Sequence, residues 1–176
     1  MTKKELRKEM ILKMKNFSKN ILQKDRADAM LLEKLVSTTS YQNAKIVATY
    51  LSMVNEFNTN LFISQAIKDK KTVVIPKTYP NGKMIFVKYD KNQLQKTSFG
   101  LLEPISDLEV KKSEIDFIHV PGVAFSPDGY RIGYGAGYFD RYLADYTGDT
   151  ISTIYPFQLQ DFKKEPFDIP VRKLLQ

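Results

Sequence analysis

Between Arg131 and Arg141 the chain reads Arg-Ile-Gly-Tyr-Gly-Ala-Gly-Tyr-Phe-Asp-Arg, with glycine at 133, 135 and 137. Alternate glycines leave no Cβ to hold a ligand away, so the backbone amides can close on an anion. A helix starting at about Tyr138 would aim its free N–H groups and the positive end of its dipole at the same place. Phosphate suits such a cradle. Arg131 and Arg141 supply planar cations that match phosphate oxygens, and Asp140 is a carboxylate able to hold Mg²⁺ beside a nucleotide. Three alternating glycines also occur in ordinary tight turns, so this reading needs the rest of the chain.

Several other chemistries are excluded. No Gly-x-x-x-x-Gly-Lys-Ser/Thr sequence is present, so the loop is not a P-loop, and no Gly-x-Ser-x-Gly elbow presents a nucleophilic serine. A dinucleotide fingerprint would place its glycines between the first strand and the first helix, whereas these come late in the chain. There is no cysteine and one histidine, which removes disulfides, thiolate chemistry and nitrogen/sulfur zinc sites. Any metal should be held by oxygen. His119 alternates with apolar neighbours in Ile115–Pro121, a pattern that predicts a packed sheet residue rather than a general base.

The elements that must position the loop follow from periodicity. Leu6, Met10, Met14, Phe17 and Ile21 recur at helical spacing and predict a first helix from about Thr2 to Gln23. Lys3, Lys4 and Arg7 stand at its start, where cations oppose the helix dipole unless an anion lies against them. A second helix is expected from an Asp25 cap to Val36, with Met30, Leu31, Leu35 and Val36 toward the core. Lys45–Leu51 reads as a buried strand, a helix capped by Asn58 or Thr59 runs through Lys68, and Thr72–Pro76 is the next strand. That is one β-α-β unit of an α/β sheet. Glu56 falls just past the first strand, where open α/β sheets gather ligands, although a surface loop carboxylate would look the same. Further strands are expected at Met84–Tyr89, Ile115–Pro121 and Thr150–Tyr155. Pro104 restricts Glu103 to an extended conformation, and prolines 166 and 170 predict an extended tail.

The 176 residues, 43% hydrophobic and without repeat or linker, are simplest as one domain, 1–176. No apolar run approaches the roughly 18 residues that span a bilayer. The N-terminus is charged from Lys3 without a signal-peptide core, which predicts a cytoplasmic protein with no membrane partner. The net charge of +7 is concentrated at the front, where residues 1–26 hold nine Lys/Arg against three acids. Such a segment suits phosphates or nucleic acid. Its confinement to one stretch, with no RNA-recognition or zinc motif beside it, argues against nucleic acid.

The order of motifs resembles the 5-formyltetrahydrofolate cyclo-ligase family, almost end to end. The resemblance is carried by Lys3-Lys4-Glu5-Leu6-Arg7, Tyr50-Leu51-Ser52-Met53-Val54-Asn55-Glu56-Phe57-Asn58-Thr59 and Phe99-Gly100-Leu101-Leu102-Glu103-Pro104. Val120–Phe125, the glycine segment from Gly129 to Arg141, and Glu165-Pro166-Phe167-Asp168 complete it. It implies a three-layer α/β/α domain with a mixed, mostly parallel, Rossmann-like sheet. It also implies an enzyme that uses ATP and Mg²⁺ to turn 5-formyltetrahydrofolate into 5,10-methenyltetrahydrofolate with release of ADP and phosphate, acting as a monomer.

Carried over residue by residue, the resemblance assigns ATP binding to Lys3, Lys4, Arg7, Arg131, Ile132, Gly133, Tyr134, Gly135, Ala136, Gly137, Tyr138 and Phe139. Folate binding falls to Leu51, Glu56, Glu103 and the Tyr134–Tyr138 segment (Tyr134, Gly135, Ala136, Gly137, Tyr138). Arg131, Tyr138 and Asp140 are implied in catalysis, and Asp140 and Asp168 in holding magnesium. Three positions depart from the family's pattern: Phe139 stands where a second tyrosine is common, Phe167 where a polar residue is common, and Arg172 where an acid is frequent.

Overall fold

The computed structural model describes residues 1–176. Five helices form: α1 (Lys3–Ser18), α2 (Ile21–Val36), α3 (Thr39–Asn43), α4 (Thr59–Lys68) and α5 (Tyr138–Leu143). The strands in chain order are β1 (Ile46–Ala48), β2 (Thr72–Thr78), β3 (Met84–Lys88), β4 (Leu94–Lys96), β5 (Leu102–Pro104) and β6 (Glu109–Val110). After them come β7 (Phe117–His119), β8 (Ala124–Phe125), β9 (Arg131–Ile132), β10 (Asp149–Thr153) and β11 (Lys173–Leu175). Seven of these make one sheet in the order β11-β10-β7-β1-β2-β3-β6. Pairing is parallel from β11 through β2 and antiparallel where β3 meets β2 and β6. The expected mixed, mostly parallel α/β sheet is therefore the observed one.

Successive residues of a strand point to opposite faces, and here both faces are covered. Val47, Val73, Ile75, Phe117 and Ile151 turn toward Leu31 and Leu35 of α2, Tyr41 of α3 and Phe62 of α4. Ala48, Val74, Phe86 and Ile118 turn the other way, toward Tyr142 and Leu143 of α5 and Val171. The second layer is thin, since one six-residue helix and the C-terminal tail supply it. Helix α1 reaches the first face only through Phe17, which packs on Tyr155. Its Leu6, Met10 and Met14 pack on Val123, Ala124 and Ile132 of the separate β8–β9 hairpin, and so bring the N-terminal cations over the glycine loop.

Some expected boundaries move. The first helix stops at Ser18 rather than Gln23, and α2 starts at Ile21 rather than beyond Asp25, because the Asn20 side chain accepts a bond from the Gln23 amide and caps α2 there. Ile21 is exposed as a result. Met30 is exposed too: in the contiguous run Met30-Leu31-Leu32 periodicity alone does not fix the facing, and Leu31 and Leu35 are the core pair. The helix at Tyr138 ends at Leu143, short of Tyr146. The proline-bearing tail makes a turn near Pro166 and then enters the sheet as β11, pairing Ser152 with Leu174. No helix is long and apolar enough to cross a membrane.

His119 is a core residue, as its strand pattern predicted. It is fully buried, its Nδ1 2.9 Å from Thr49 Oγ1 and its Nε2 2.9 Å from Thr153 Oγ1, with the rings of Tyr50, Phe57 and Phe62 around it. Burial pushes its pKa down to about 3, so the folded protein keeps it neutral while the unfolded chain takes up a proton below about pH 6.5. Its contribution to stability is complete above that pH and is lost between pH 6.5 and about 3, at up to about 1.4 kcal/mol per pH unit. Denaturant midpoints measured from pH 7 to pH 4 should show this slope, and His119→Gln should remove one proton's share of it while lowering stability at pH 7.

Candidate functional site

The candidate residues gather on segments that leave the carboxyl ends of strands, the place where α/β sheets assemble their sites. The loop carrying Glu56 follows β1, Thr78 ends β2 and Tyr79 follows it, Tyr155 follows β10, and the glycine loop follows β9 of the separate hairpin. Arg131 roots that loop. Its side chain is 4% exposed, and its guanidinium donates to Asp140 Oδ1 at 3.0 Å. Its Nε is buried without a hydrogen-bond partner. Burial draws the Arg131 pKa below its usual range, and the neighbouring Asp140 and Asp168 oppose that shift. Ile132, next along, is buried against α1, and Phe139 packs on Phe86 and lies under the Arg131 guanidinium.

The loop itself stands open. Gly133, Tyr134, Gly135, Ala136, Gly137 and Tyr138 are all partly or largely exposed, and Gly135 and Gly137 adopt φ of +115° and +72°, which side-chain-bearing residues rarely take. Gly137 caps α5 in this left-handed conformation. With only six residues behind that cap, the loop's capacity for an anion rests on its amides and flanking arginines more than on a long helix dipole. Arg7 Nε donates to Gly133 O at 2.7 Å, and Arg141 donates to Ala136 O at 2.7 Å, so both cations brace the loop. Tyr138 OH donates to Tyr79 O at 3.1 Å and ties the start of α5 to the end of β2.

The two carboxylates expected to hold a metal each keep one cation. Asp140 Oδ1 takes Arg131 and the Ile169 amide, the latter at 3.1 Å. Asp168 Oδ2 takes Lys3 Nζ at 2.5 Å and the Glu165 amide at 2.8 Å. Asp140 Oδ2 and Asp168 Oδ1 have no protein partner. No group of three or more His, Cys, Asp or Glu gathers anywhere in the chain. A donor set of two carboxylates fits Mg²⁺, which takes one or two carboxylates and completes its octahedron with phosphate oxygens and water. Lys4, by contrast, is exposed on α1 and makes no contact with these groups.

Across the cleft, Glu56 is buried rather than a surface loop acid. Its Oε2 accepts from the Met53 amide at 2.7 Å and its Oε1 from Tyr134 OH at 2.9 Å. Burial raises its pKa, with those two hydrogen bonds and Lys24 pulling the other way. Leu51 lies half-buried before it. Glu103 sits on the β4–β5 hairpin and accepts from the Thr78 amide and hydroxyl, on the β2 side of the cleft. Phe167 is exposed, and Arg172 reaches Thr147 O and Asp149 along β10, so neither departure crowds Asp140 or Asp168.

Sequence reasoning missed two supports. Lys77, buried at the end of β2, donates to Ile105 O at 2.7 Å and pairs with Asp107, fixing the chain after Glu103. Lys24 and Asp28 form a buried pair on α2 behind Glu56. Their i,i+4 spacing was visible, but such pairs ordinarily sit on the solvent face.

These features define an α/β protein that presents an open glycine loop, flanked by arginines, and a pair of carboxylates beyond the ends of its strands. The sequence model of the 5-formyltetrahydrofolate cyclo-ligase family matches residues 1–175, and the chain belongs to that family of ligases. It is 30% identical over 173 residues to the 5-formyltetrahydrofolate cyclo-ligase of Mycoplasma pneumoniae, covering 96% of this chain and 94% of that one. It is 31% identical over 127 residues to the mouse 5-formyltetrahydrofolate cyclo-ligase, 67% of this chain and 63% of the mouse one. Among solved structures, the 5,10-methenyltetrahydrofolate synthetase of Aquifex aeolicus superposes with a TM-score of 0.85 at 31% identity, over 99% of this chain and 89% of that one. The M. pneumoniae synthetase gives 0.80 at 27% identity, over 99% and 98%.

The glycine conformations are testable without a ligand. A Cβ on Gly137 would come 3.3 Å from the Arg141 guanidinium, which is exposed and can give way, so the cost of Gly137→Ala is the left-handed backbone. About 1 kcal/mol is expected, a fall of about 2–4 °C in Tm. Calorimetric melts of the two proteins check it.

Proposed function

We propose that this chain converts 5-formyltetrahydrofolate and ATP to 5,10-methenyltetrahydrofolate, ADP and phosphate, with Mg²⁺ as cofactor. The observation that carries the reading is the hydrogen bond from Tyr134 to Glu56: one loop, flanked by Arg7 and Arg131, reaches from a phosphate cradle to a buried carboxylate on the opposite wall. A nucleotide phosphate and a nitrogen heterocycle bound to these two halves would meet over the loop. Family membership supports the same substrates.

In this reading Glu56 accepts hydrogen bonds from pterin N–H groups, with Leu51 and the ring of Tyr134 beside the heterocycle and Glu103 on the β2 wall. The loop amides from Gly133 to Phe139, with Lys3, Lys4 and Arg7, hold the ATP phosphates, and Arg131 faces the transferred group. The formyl oxygen attacks the γ-phosphorus and ADP leaves. N10 then attacks the formyl carbon of the imidate phosphate, gives up its proton, and the ring closes as phosphate departs. An oxygen that could not leave as hydroxide leaves as phosphate. Mg²⁺ held by Asp140 and Asp168 would supply charge neutralisation to the phosphate oxygens. The protein's work is positioning and electrostatics, with Tyr138 aligning the loop through Tyr79. The reading takes the chain as a cytoplasmic monomer that uses neither nucleic acid nor a membrane.

Purified protein mixed with (6S)-5-formyltetrahydrofolate and MgATP should generate the absorbance of the methenyl product, and a chelator in excess of Mg²⁺ should abolish it. Absence of product from folded protein would overturn the assignment. Asp140→Asn should lower kcat by about 100-fold or more, since it removes a charge that acts on the transferred phosphoryl group, while circular dichroism stays unchanged. Undiminished turnover in that variant would remove Asp140 from metal binding.

A further inference from the structure

One buried charged group takes no part in the scheme above. Lys24 and Asp28, one turn apart on α2, are 8% and 1% exposed, with Nζ 2.6 Å from Oδ2. Withdrawing an ion pair from water is costly, so a pair held inside a helix layer calls for something that it organises. Asp28 has two further donors. Tyr155 OH donates a hydrogen bond to Oδ1 at 2.5 Å, and the backbone amide of Asn58 donates to Oδ2 at 3.3 Å. Asn58 caps α4 and lies two residues beyond Glu56, so Asp28 grips the loop that carries the buried acid.

The groups acting on the Glu56 carboxyl come from four elements. Lys24 approaches from α2 with Asp28 behind it, Tyr50 follows β1, Tyr134 donates from the glycine loop, and Tyr155 follows β10. Lys24 is the cation that acts on Glu56, and its ammonium is occupied by Asp28. Glu56 therefore keeps a favourable positive neighbour without a direct ion pair.

Resting on the folate reading above, we propose that Asp28 is a positioning residue for the Glu56 subsite: it fixes the loop through Asn58 and holds Lys24 back, leaving the carboxylate of Glu56 free for heterocycle N–H donors. Without Asp28, the Lys24 ammonium keeps Glu56 as a counter-charge and competes with the ligand. Without Lys24, Asp28 and Glu56 are two buried acids lacking a cation, and Glu56 retains a proton, which removes an acceptor. The two losses thus drive Glu56 in opposite directions.

The test follows the carboxyl carbon of Glu56 by NMR in ¹³C-labelled protein without ligand, alongside calorimetric binding of 5-formyltetrahydrofolate without ATP. Asp28→Asn should move the Glu56 titration to lower pH and Lys24→Met to higher pH. Each should weaken folate binding by about tenfold while the affinity for ADP stays put, the loss expected for one charge-assisted hydrogen bond. A purely structural role would not give shifts of opposite sign. Thermal melts verify folding; if Asp28→Asn does not fold, Lys24→Met decides alone, because only an upward shift agrees with the proposal. Unmoved titrations in folded variants overturn the role of Asp28. Wild-type protein that binds no 5-formyltetrahydrofolate overturns the reaction proposed above instead, so the two failures are told apart.

Discussion

The buried guanidinium of Arg131 anchors a closed circuit of contacts on which the cleft depends. Arg131 holds Asp140, Asp140 holds the Ile169 amide, and the adjoining Asp168 holds Lys3 at the start of α1. One turn along α1, Arg7 returns to the glycine loop at Gly133 O. The circuit joins the two chain termini to the loop between them. A glycine-rich backbone has the most conformational freedom to lose on folding, and here its order comes from charges at its ends rather than from packed side chains within it.

That arrangement has a cost in desolvation, visible in the depressed pKa of Arg131 and in its unsatisfied Nε. Glu56 shows the same tension from the acidic side, with burial raising its pKa. Polar groups held incompletely satisfied are where a fold departs from its own stability rules, and such departures gather at functional sites. His119 makes an instructive contrast: it is equally buried, but both ring nitrogens have threonine partners, and it belongs to the core.

The asymmetry of the layers explains where the cleft lies. On one face α2, α3 and α4 cover the sheet with a continuous apolar core. The other face has only α5 and the tail over Ala48, Val74, Phe86 and Ile118. The glycine loop occupies the room left there. Helix α1 completes the wall by packing Leu6, Met10 and Met14 on the β8–β9 hairpin.

The sequence by itself determined the α/β class, strands expected at 45–51, 72–76, 84–89 and 115–121 that the fold realises as β1, β2, β3 and β7 with moved ends, the core placement of His119 and the composition of the glycine loop. These depend on local alternation, on β-branched runs and on glycine spacing, all of which are short-range. Only the tertiary structure decided that α1 ends at Ser18, that Met30 faces water, and that the tail becomes β11. Each of those outcomes hangs on a cap or on a distant partner: Asn20 for the helix break, β10 for the tail. The site divides the same way. Arg131, Glu56 and Asp140 could be nominated from residue type and position, whereas the burial of Glu56, its bond to Tyr134 and the inward turn of Lys24 and Asp28 join residues up to 78 positions apart, and long-range contact is what one-dimensional periodicity does not encode.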